Sequence, residues 1–255
     1  MNKRNTQQRR HLIVSQLQQQ GELSVEQLAE RFQTSEVTIR KDLTVLEQAG
    51  LLLRRYGGAV PVPQDFIADS SFEKVSKRKL AIAKAAAGLI KDHYRIIIDS
   101  GRTTAALLPE LANKQGLVVM TNSLGIANAL RELENEPTLL MTGGTWDPQS
   151  EAFQGQLAEQ VLRAYDFDQL FIGADGIDLA RGTTTYNELY SLSRVMAECA
   201  REVIVMLESD KLGRKIHNLE LPWAMVKVLV SDDGLSDDAA AQITRQGVKV
   251  IRVQA

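Results

Sequence analysis

Between Thr6 and Gln20 the apolar positions return every three or four residues, at His11, Ile13, Val14 and Leu17, and Gly21 follows. That spacing predicts a helix with one buried stripe and a glycine stop. Ser24 and Gln27 form the sequence signature of a capping box, and Val25, Leu28, Ala29 and Phe32 supply the buried side of a second helix. After the polar pair Gln33-Thr34, Ser35 is the N-cap of a third helix that runs to about Ala49 and stops at Gly50. Residues 51–60 are apolar at both ends and basic and glycine-rich in the middle, the pattern of a β-hairpin. Pro61-Val62-Pro63-Gln64-Asp65 then breaks regular structure and marks a linker.

From about Ser76 the pattern changes. Helical stretches are expected at 76–90, 103–113, 123–133, 151–165, 188–200 and 237–246. Short aliphatic runs separate or flank them at 95–99, 117–121, 138–142, 170–173, 203–207, 226–230 and 248–253. Runs that are continuously apolar, not alternating, belong to strands covered on both faces, hence to a largely parallel sheet in an α/β domain. The expected division is 1–60, a linker at 61–75, and 76–255. Three helices and a hairpin in the first part make a winged helix-turn-helix.

Composition narrows the classes. No apolar run reaches the length of a membrane span, and the basic, polar start lacks the apolar stretch of a signal peptide. One cysteine, Cys199, excludes an intramolecular disulfide and fits a reducing cytoplasm; its apolar neighbours read as packing. With three histidines and that one thiol, a zinc site has almost no ligands, so neither metal nor cofactor is expected. The formal charge of −2 divides unevenly: +3 in residues 1–60 and −5 in the rest. A polyanionic partner for the first part is permitted by this, and the placement of the charges argues further for it.

At about 100° per residue, Ile39, Leu43 and Leu46 share the buried side of the third helix. Val37, Lys41, Thr44 and Gln48 lie opposite, flanked by Thr38 and Arg40. Adjacent cations for phosphates or guanine edges, hydroxyls for phosphates and a small apolar group for a thymine methyl are what a recognition helix needs. Thr34, Ser35, Glu36, Val37, Thr38, Arg40, Lys41 and Thr44 are the candidate DNA contacts, with Arg54 and Arg55 on the wing. Asp42 faces neither side squarely and is assigned to orienting a neighbouring arginine. The run Ser35-Glu36-Val37-Thr38-Ile39-Arg40-Lys41-Asp42-Leu43, with Arg9, Ile13 and Leu17 before it and Arg55-Tyr56-Gly57-Gly58-Ala59 after it, resembles the helix-turn-helix signature of the DeoR/GlpR repressors. Lys41 stands where many members carry arginine. The resemblance implies operator binding by a dimer or higher oligomer.

In the second part, polar loops recur after predicted strands, where open α/β sheets hold ligands. Asp99, Ser100, Gly101, Thr103 and Thr104 follow the first strand, Asn122 and Ser123 the second, Gly143 and Gly144 the third, and Asp175 the fourth. Glu188 and Lys211 come later. Carboxylates at Asp99, Asp175 and Glu188 suit sugar hydroxyls, while Lys211 and the loop after Asp99 suit a phosphate. This half resembles the family's effector domain, similar in fold to ribose-5-phosphate isomerase and the CoA transferases. The resemblance implies a repressor of a sugar-catabolism operon released by a phosphorylated sugar or sugar alcohol. The stretches 120–133 and 140–159 are nearest to members controlling hexitol or amino-sugar operons. The alternative is a sugar-phosphate isomerase with an accessory nucleic-acid module. Where the isomerase has a lysine before its glycine run, this chain has Arg181-Gly182-Thr183-Thr184. An arginine is a poor proton shuttle, which weighs against turnover.

Overall fold

The computed structural model describes residues 3–48, 51–55, 57–61, 75–148, 150–187, 191–214 and 216–254. The chain forms two compact units, Met1–Glu73 and Lys74–Ala255. Most of the expected linker, and Ala49, Gly50, Tyr56 and Glu188, lie outside the described residues, and Pro61 belongs to a strand.

The first unit contains α1 (Lys3–Gln20), β1 (Leu23–Ser24), α2 (Val25–Arg31), α3 (Glu36–Gln48), β2 (Leu52–Arg55) and β3 (Gly58–Pro61). The Ser24 capping box is complete in both directions, which fixes the start of α2. Strands pair antiparallel in the order β1-β3-β2. Gly58 is required there: a Cβ would meet the Leu23 carbonyl oxygen at 2.5 Å. Ile13, Leu17, Leu28, Ile39, Leu43, Leu46 and Leu52 form the core. The expected stripe on α1 needs one correction: His11 is exposed, because it sits about 200° round the helix from Ile13.

Asp42 also departs from the flanking position expected of it. Its side chain is buried on α3, where it accepts from Arg9 Nε at 2.6 Å and Arg10 Nε at 2.7 Å, both on α1. The carboxylate thus ties the first helix to the third. A buried charge without partners is costly, so Asp42 can be buried only while the arginines hold it.

The second unit opens with α4 (Lys77–Ala87) and β4 (Arg95–Ile98). The expected helix at 103–113 is two single turns, α5 (Arg102–Ala105) and α6 (Leu108–Leu111), with Pro109 at the start of the second. Then come β5 (Val118–Thr121), α7 (Leu124–Arg131) and β6 (Thr138–Met141). A hairpin follows, β7 (Thr145–Asp147) and β8 (Ala152–Gln154), before α8 (Gln156–Arg163) and β9 (Phe167–Ile172). The expected helix over 151–165 therefore loses its first turn to β8, where Ala152 and Gln154 point inward and Phe153 stacks edge-on against Trp146 across the hairpin. The remainder is β10 (Gly176–Asp178), β11 (Gly182–Thr185), α9 (Ser191–Glu198), β12 (Ala200–Met206), β13 (Asn218–Pro222), β14 (Val228–Asp232), α10 (Asp237–Arg245) and β15 (Lys249–Val253).

All seven aliphatic runs enter one parallel sheet, in the order β15-β14-β12-β9-β4-β5-β6. Alternate residues go to opposite faces. Ile96 and Ile98 pack with the α4, α6 and α7 side chains, whereas Ile97 packs with those of α8 and α9. Both faces are dry, as continuous apolar runs require. A smaller antiparallel sheet, β10-β11-β13, adjoins the end of β9.

Replacing Asp42 by alanine is expected to destabilise the first unit by about 3 kcal/mol, the low end for breaking a buried ion pair, since Arg10 reaches water. Removing Glu198, exposed in its pair with Arg163, is expected to cost under about 1 kcal/mol. Both tryptophans, Trp146 and Trp223, lie in the second unit. Urea unfolding therefore separates the units: ellipticity lost without a fluorescence change reports the first.

Candidate functional site

On α3 the outer residues are placed as a groove-reading helix places them. Val37 is 58% exposed, Arg40 and Lys41 are exposed, and Thr38 and Thr44 are half-buried. Ser35 caps the helix by accepting from the Thr38 amide at 3.2 Å, and its hydroxyl lies 2.9 Å from that of Thr38. Thr34 closes the turn from α2, its amide donating to the Ala29 carbonyl. Arg40 pairs with Glu36 one turn earlier, at 2.7 Å. The two wing arginines differ. Arg54 reaches α3, donating to Thr44 Oγ1 at 2.9 Å and lying 3.7 Å from Glu47. Arg55 turns the other way, mostly buried, toward Glu22 at 3.6 Å.

In the second unit the strand order reverses between β4 and β9. The chain builds β5 and β6 on one side of β4, then crosses to build β9 and its successors on the other. Such a switch point leaves a crevice at the carboxyl ends of the two strands. Asp99 follows β4 and Asp175 follows β9. Both are half-buried. Asn122, after β5, is buried and joins the loops: its Nδ2 donates to Asp99 Oδ1 at 2.9 Å, and its Oδ1 accepts from the Ser100 amide at 2.9 Å. Asp175 Oδ2 accepts from Thr185 Oγ1 at 2.9 Å and from the Tyr186 amide at 3.0 Å. Lys211 is buried and donates to the Ala174 carbonyl at 2.7 Å, and Arg214 reaches the Asp175 carbonyl at 3.3 Å.

Several expected ligand groups turn out to hold the loops themselves. The Thr104 hydroxyl lies 2.8 Å from the Asp99 carbonyl and 2.9 Å from that of Gly101, and it has one proton to give. Ser123 caps α7 at the Ile126 amide, and Thr103 is buried. Gly144 has φ 111°, and a Cβ there would meet the Gln154 carbonyl at 2.5 Å, so it serves the β8 hairpin, while Gly143 opens onto free space. Thr183, Thr184 and Thr185 are buried in β11. Among the described residues no group of three or more His, Cys, Asp or Glu is arranged to hold a metal ion.

One residue of this cluster is invisible to the sequence reading. Glu220 on β13 is buried, accepting from Ser193 Oγ at 2.9 Å and lying 3.4 Å from Thr183 Oγ1. A lone charge between Leu219 and Leu221 has the pattern of a solvent-facing strand position, so nothing in the local sequence marks it as buried. Burial, then the charges of Asp175 and Asp99, push its pKa up to about 8. Burial raises Asp99 to about 6 against its hydrogen bonds from Asn122 and Ser100. Asp175 is also raised by burial, held back by the Tyr186 amide and the Lys211 charge. The carboxylates thus crowd one region whose nearest cations are Lys211 and Arg214. Beside it runs an open groove of about 730 Å³ lined by Ile177, Arg181, Leu212, Arg214, His217 and Gln242, which shares Arg214 with the cluster.

Residues 9–64 match the model of the DeoR-like helix-turn-helix domain, and residues 74–233 that of the DeoR C-terminal sensor domain. The chain belongs to the DeoR family. It is similar to a protein of Escherichia coli O157:H7 named as an aga operon transcriptional repressor, 38% identical over 97% of this chain and 94% of that one. It is also similar to the transcriptional repressor AccR of Agrobacterium fabrum, at 32% over 90% and 91%, and to the regulator GlpR of Haloferax volcanii, at 31% over 96% of each. This DeoR-family chain is a DNA-binding transcriptional repressor. Solved structures with a partial likeness include ribose 5-phosphate isomerase A from Methanocaldococcus jannaschii, 22% identical over 54% of each chain with a TM-score of 0.39. A point mutant of RipA is 14% identical over 75% of this chain and 56% of that one, with a TM-score of 0.48. Neither carries an argument about what the repressor binds.

A carboxyl with a raised pKa keeps its proton longer in the fold than in the unfolded chain. The stability from that proton is present in full below the ordinary value of 4.5 and is lost as pH rises through about 8 for Glu220. The second unit is therefore expected to melt at progressively lower temperature from pH about 5 to about 8, and Glu220→Gln is expected to flatten that slope. Tryptophan-detected melting of wild type and variant across this range is the check.

Proposed function

We propose that this repressor silences a sugar-catabolism operon and is released from its operator by a phosphorylated sugar or sugar alcohol bound, without turnover, at the β4–β9 switch point. The observation that carries the reading is the convergence of Asp99, Asn122 and Asp175 at that crevice with Lys211 beneath. Carboxylates at the mouth suit hydroxyl donors. They repel an anion, so the phosphate end depends on Lys211 and on the amides and hydroxyls of the loop of Ser100, Gly101, Thr103 and Thr104 to offset that charge. Ser123, Gly143, Gly144 and Glu188 are the remaining effector contacts of this reading.

On the DNA side, residues 1–60 bind through Thr34, Ser35, Glu36, Val37, Thr38, Arg40, Lys41 and Thr44, with Arg54 and Arg55 at the backbone. Glu36 serves by steering Arg40, since a carboxylate gains nothing from a phosphate. A dimer or tetramer presents two recognition helices to half-sites about one helical turn apart, and residues 61–75 carry the change between units. The protein acts in the cytoplasm. A relative named for repressing one operon supports this assignment. Ligand must favour one arrangement of the oligomer over another, because equal affinity for both shifts nothing.

Two variants test the reading. Arg40→Ala is expected to weaken binding to a duplex selected from random sequence by about 1–3 kcal/mol, with melting temperature unchanged because the Glu36 pair is exposed. Lys211→Ala is expected still to bind the same duplex but to need higher sugar-phosphate concentrations for release. Gel-shift titrations with a panel of pentose and hexose phosphates measure both. Equal release of wild type and the lysine variant would remove Lys211 from the site, and conversion of any panel member would restore the isomerase alternative.

A further inference from the structure

The effector crevice and the point where the chain enters the sensor unit share one short segment. Glu208 to Lys211 forms a single 3-10 turn after β12, closed by the Lys211 amide on the Glu208 carbonyl at 3.1 Å. Three fixtures hold it. At its far end Lys211 is anchored on the Ala174 carbonyl, beside Asp175. In the middle, Ser209 donates twice to Asp232 at the end of β14, at 2.8 and 2.7 Å. At its near end the buried Glu208 carboxylate meets the first turn of α4: Ser76 Oγ at 2.7 Å, Arg78 Nε at 3.3 Å and Lys79 Nζ at 3.4 Å. Arg78 also reaches Asp210, at 3.4 Å.

Ser76 occupies two roles at once. Its oxygen caps α4 by accepting from the Lys79 amide at 3.2 Å while its proton goes to Glu208. The start of α4 is therefore shaped by the position of Glu208. A buried carboxylate cannot leave these donors without a large desolvation penalty, so the two segments move together or not at all. The body of α4 packs against α5, the turn that carries Thr103 and Thr104. The helix nearest the linker in sequence thus touches segments from both sides of the crevice.

We infer that the Glu208–Lys211 turn is the relay of this repressor: a ligand that draws Lys211 from the Ala174 carbonyl displaces the turn, and Glu208 passes the displacement to the cap of α4, where the chain departs toward the DNA-binding unit. Glu208, Ser76, Arg78 and Lys79 are positioning residues in this scheme and need touch neither ligand nor DNA. The relay rests on the reading of Lys211 as an effector contact, but its test requires no effector.

Hydrogen exchange on the full chain supplies that test. Lys211→Met removes the anchor and keeps a long apolar stem. Exchange is expected to quicken about 5-fold at the amides of Lys211 and Leu212 and also at those of Lys79 and Leu80, which bond to Ser76, with α7 unaffected. Glu208→Leu removes both acceptor oxygens and so disconnects the relay, and adding Lys211→Met to it is expected to change Lys79 and Leu80 no further. Ser76→Ala removes the hydroxyl that joins Glu208 to the cap but keeps the carbonyl that Leu80 bonds, so it serves as the same disconnection, read at Leu80, if the buried substitution fails to fold. Faster exchange confined to Lys211 and Leu212 overturns the relay, as does an unchanged response of Lys79 and Leu80 in the disconnected variants. A chain that shows the coupling yet binds no sugar phosphate keeps the relay and loses the effector assignment.

Discussion

Parallel strands cannot be joined by a hairpin, so each strand of the sensor sheet is regained through a crossover. Everything about the site follows from the one place where those crossovers change direction. β4 is laid down first and stays near the centre. Its onward chain passes over one face, through α5 and α6, to reach β5, whereas the chain leaving β9 passes through α9 on the opposite face to reach β12. The two exits diverge at the carboxyl ends of neighbouring strands, and Asp99 and Asp175, both half-buried, stand just beyond strand residues that are dry.

That location sets the electrostatics. It is a low-dielectric place, where the fully buried aliphatic ends of β4 and β9 are followed directly by polar groups. Each carboxyl in it is preorganised by fixed donors: Asn122 for Asp99, Thr185 and an amide for Asp175, Ser193 for Glu220. Pairing the rim groups with protein donors limits how far they rearrange when a ligand arrives, a requirement shared by recognition and catalysis. Recognition needs nothing further.

The parallel sheet was legible because its strands are continuous aliphatic runs such as Arg95–Ile98, a pattern with few competing interpretations. The winged unit was legible because its caps, Ser24 and Ser35, and its stripes at Ile39, Leu43 and Leu46 agree at every level. What escaped has a common cause. β10 and β11 open on glycines, Gly176 and Gly182, and β13 is bounded by Asn218 and Pro222, so turn-type residues mask short strands that form through tertiary pairing. β8 was hidden inside an apparent helix because three residues are too few to show a period of two against one of 3.6. The loop residues of the site were readable as a set from their places after strands. Their individual bonds were not, since the Thr104 hydroxyl and the Ser123 cap answer to neighbours distant from any motif. Glu220 required the third dimension altogether.

The burial of Asp42 has a consequence for how the repressor feels salt. Counting basic residues in the first unit overstates its pull on a polyanion, because Arg9 and Arg10 share one buried carboxylate and are committed to joining α1 to α3. Only cations that displace condensed counterions from DNA contribute to the fall of affinity with ionic strength, at a slope of about −0.9 per phosphate neutralised. A domain that commits its arginines to its own architecture therefore binds with a shallower dependence on salt than its composition implies, and tolerates changes in ionic strength that would strip a more nakedly basic module from its site.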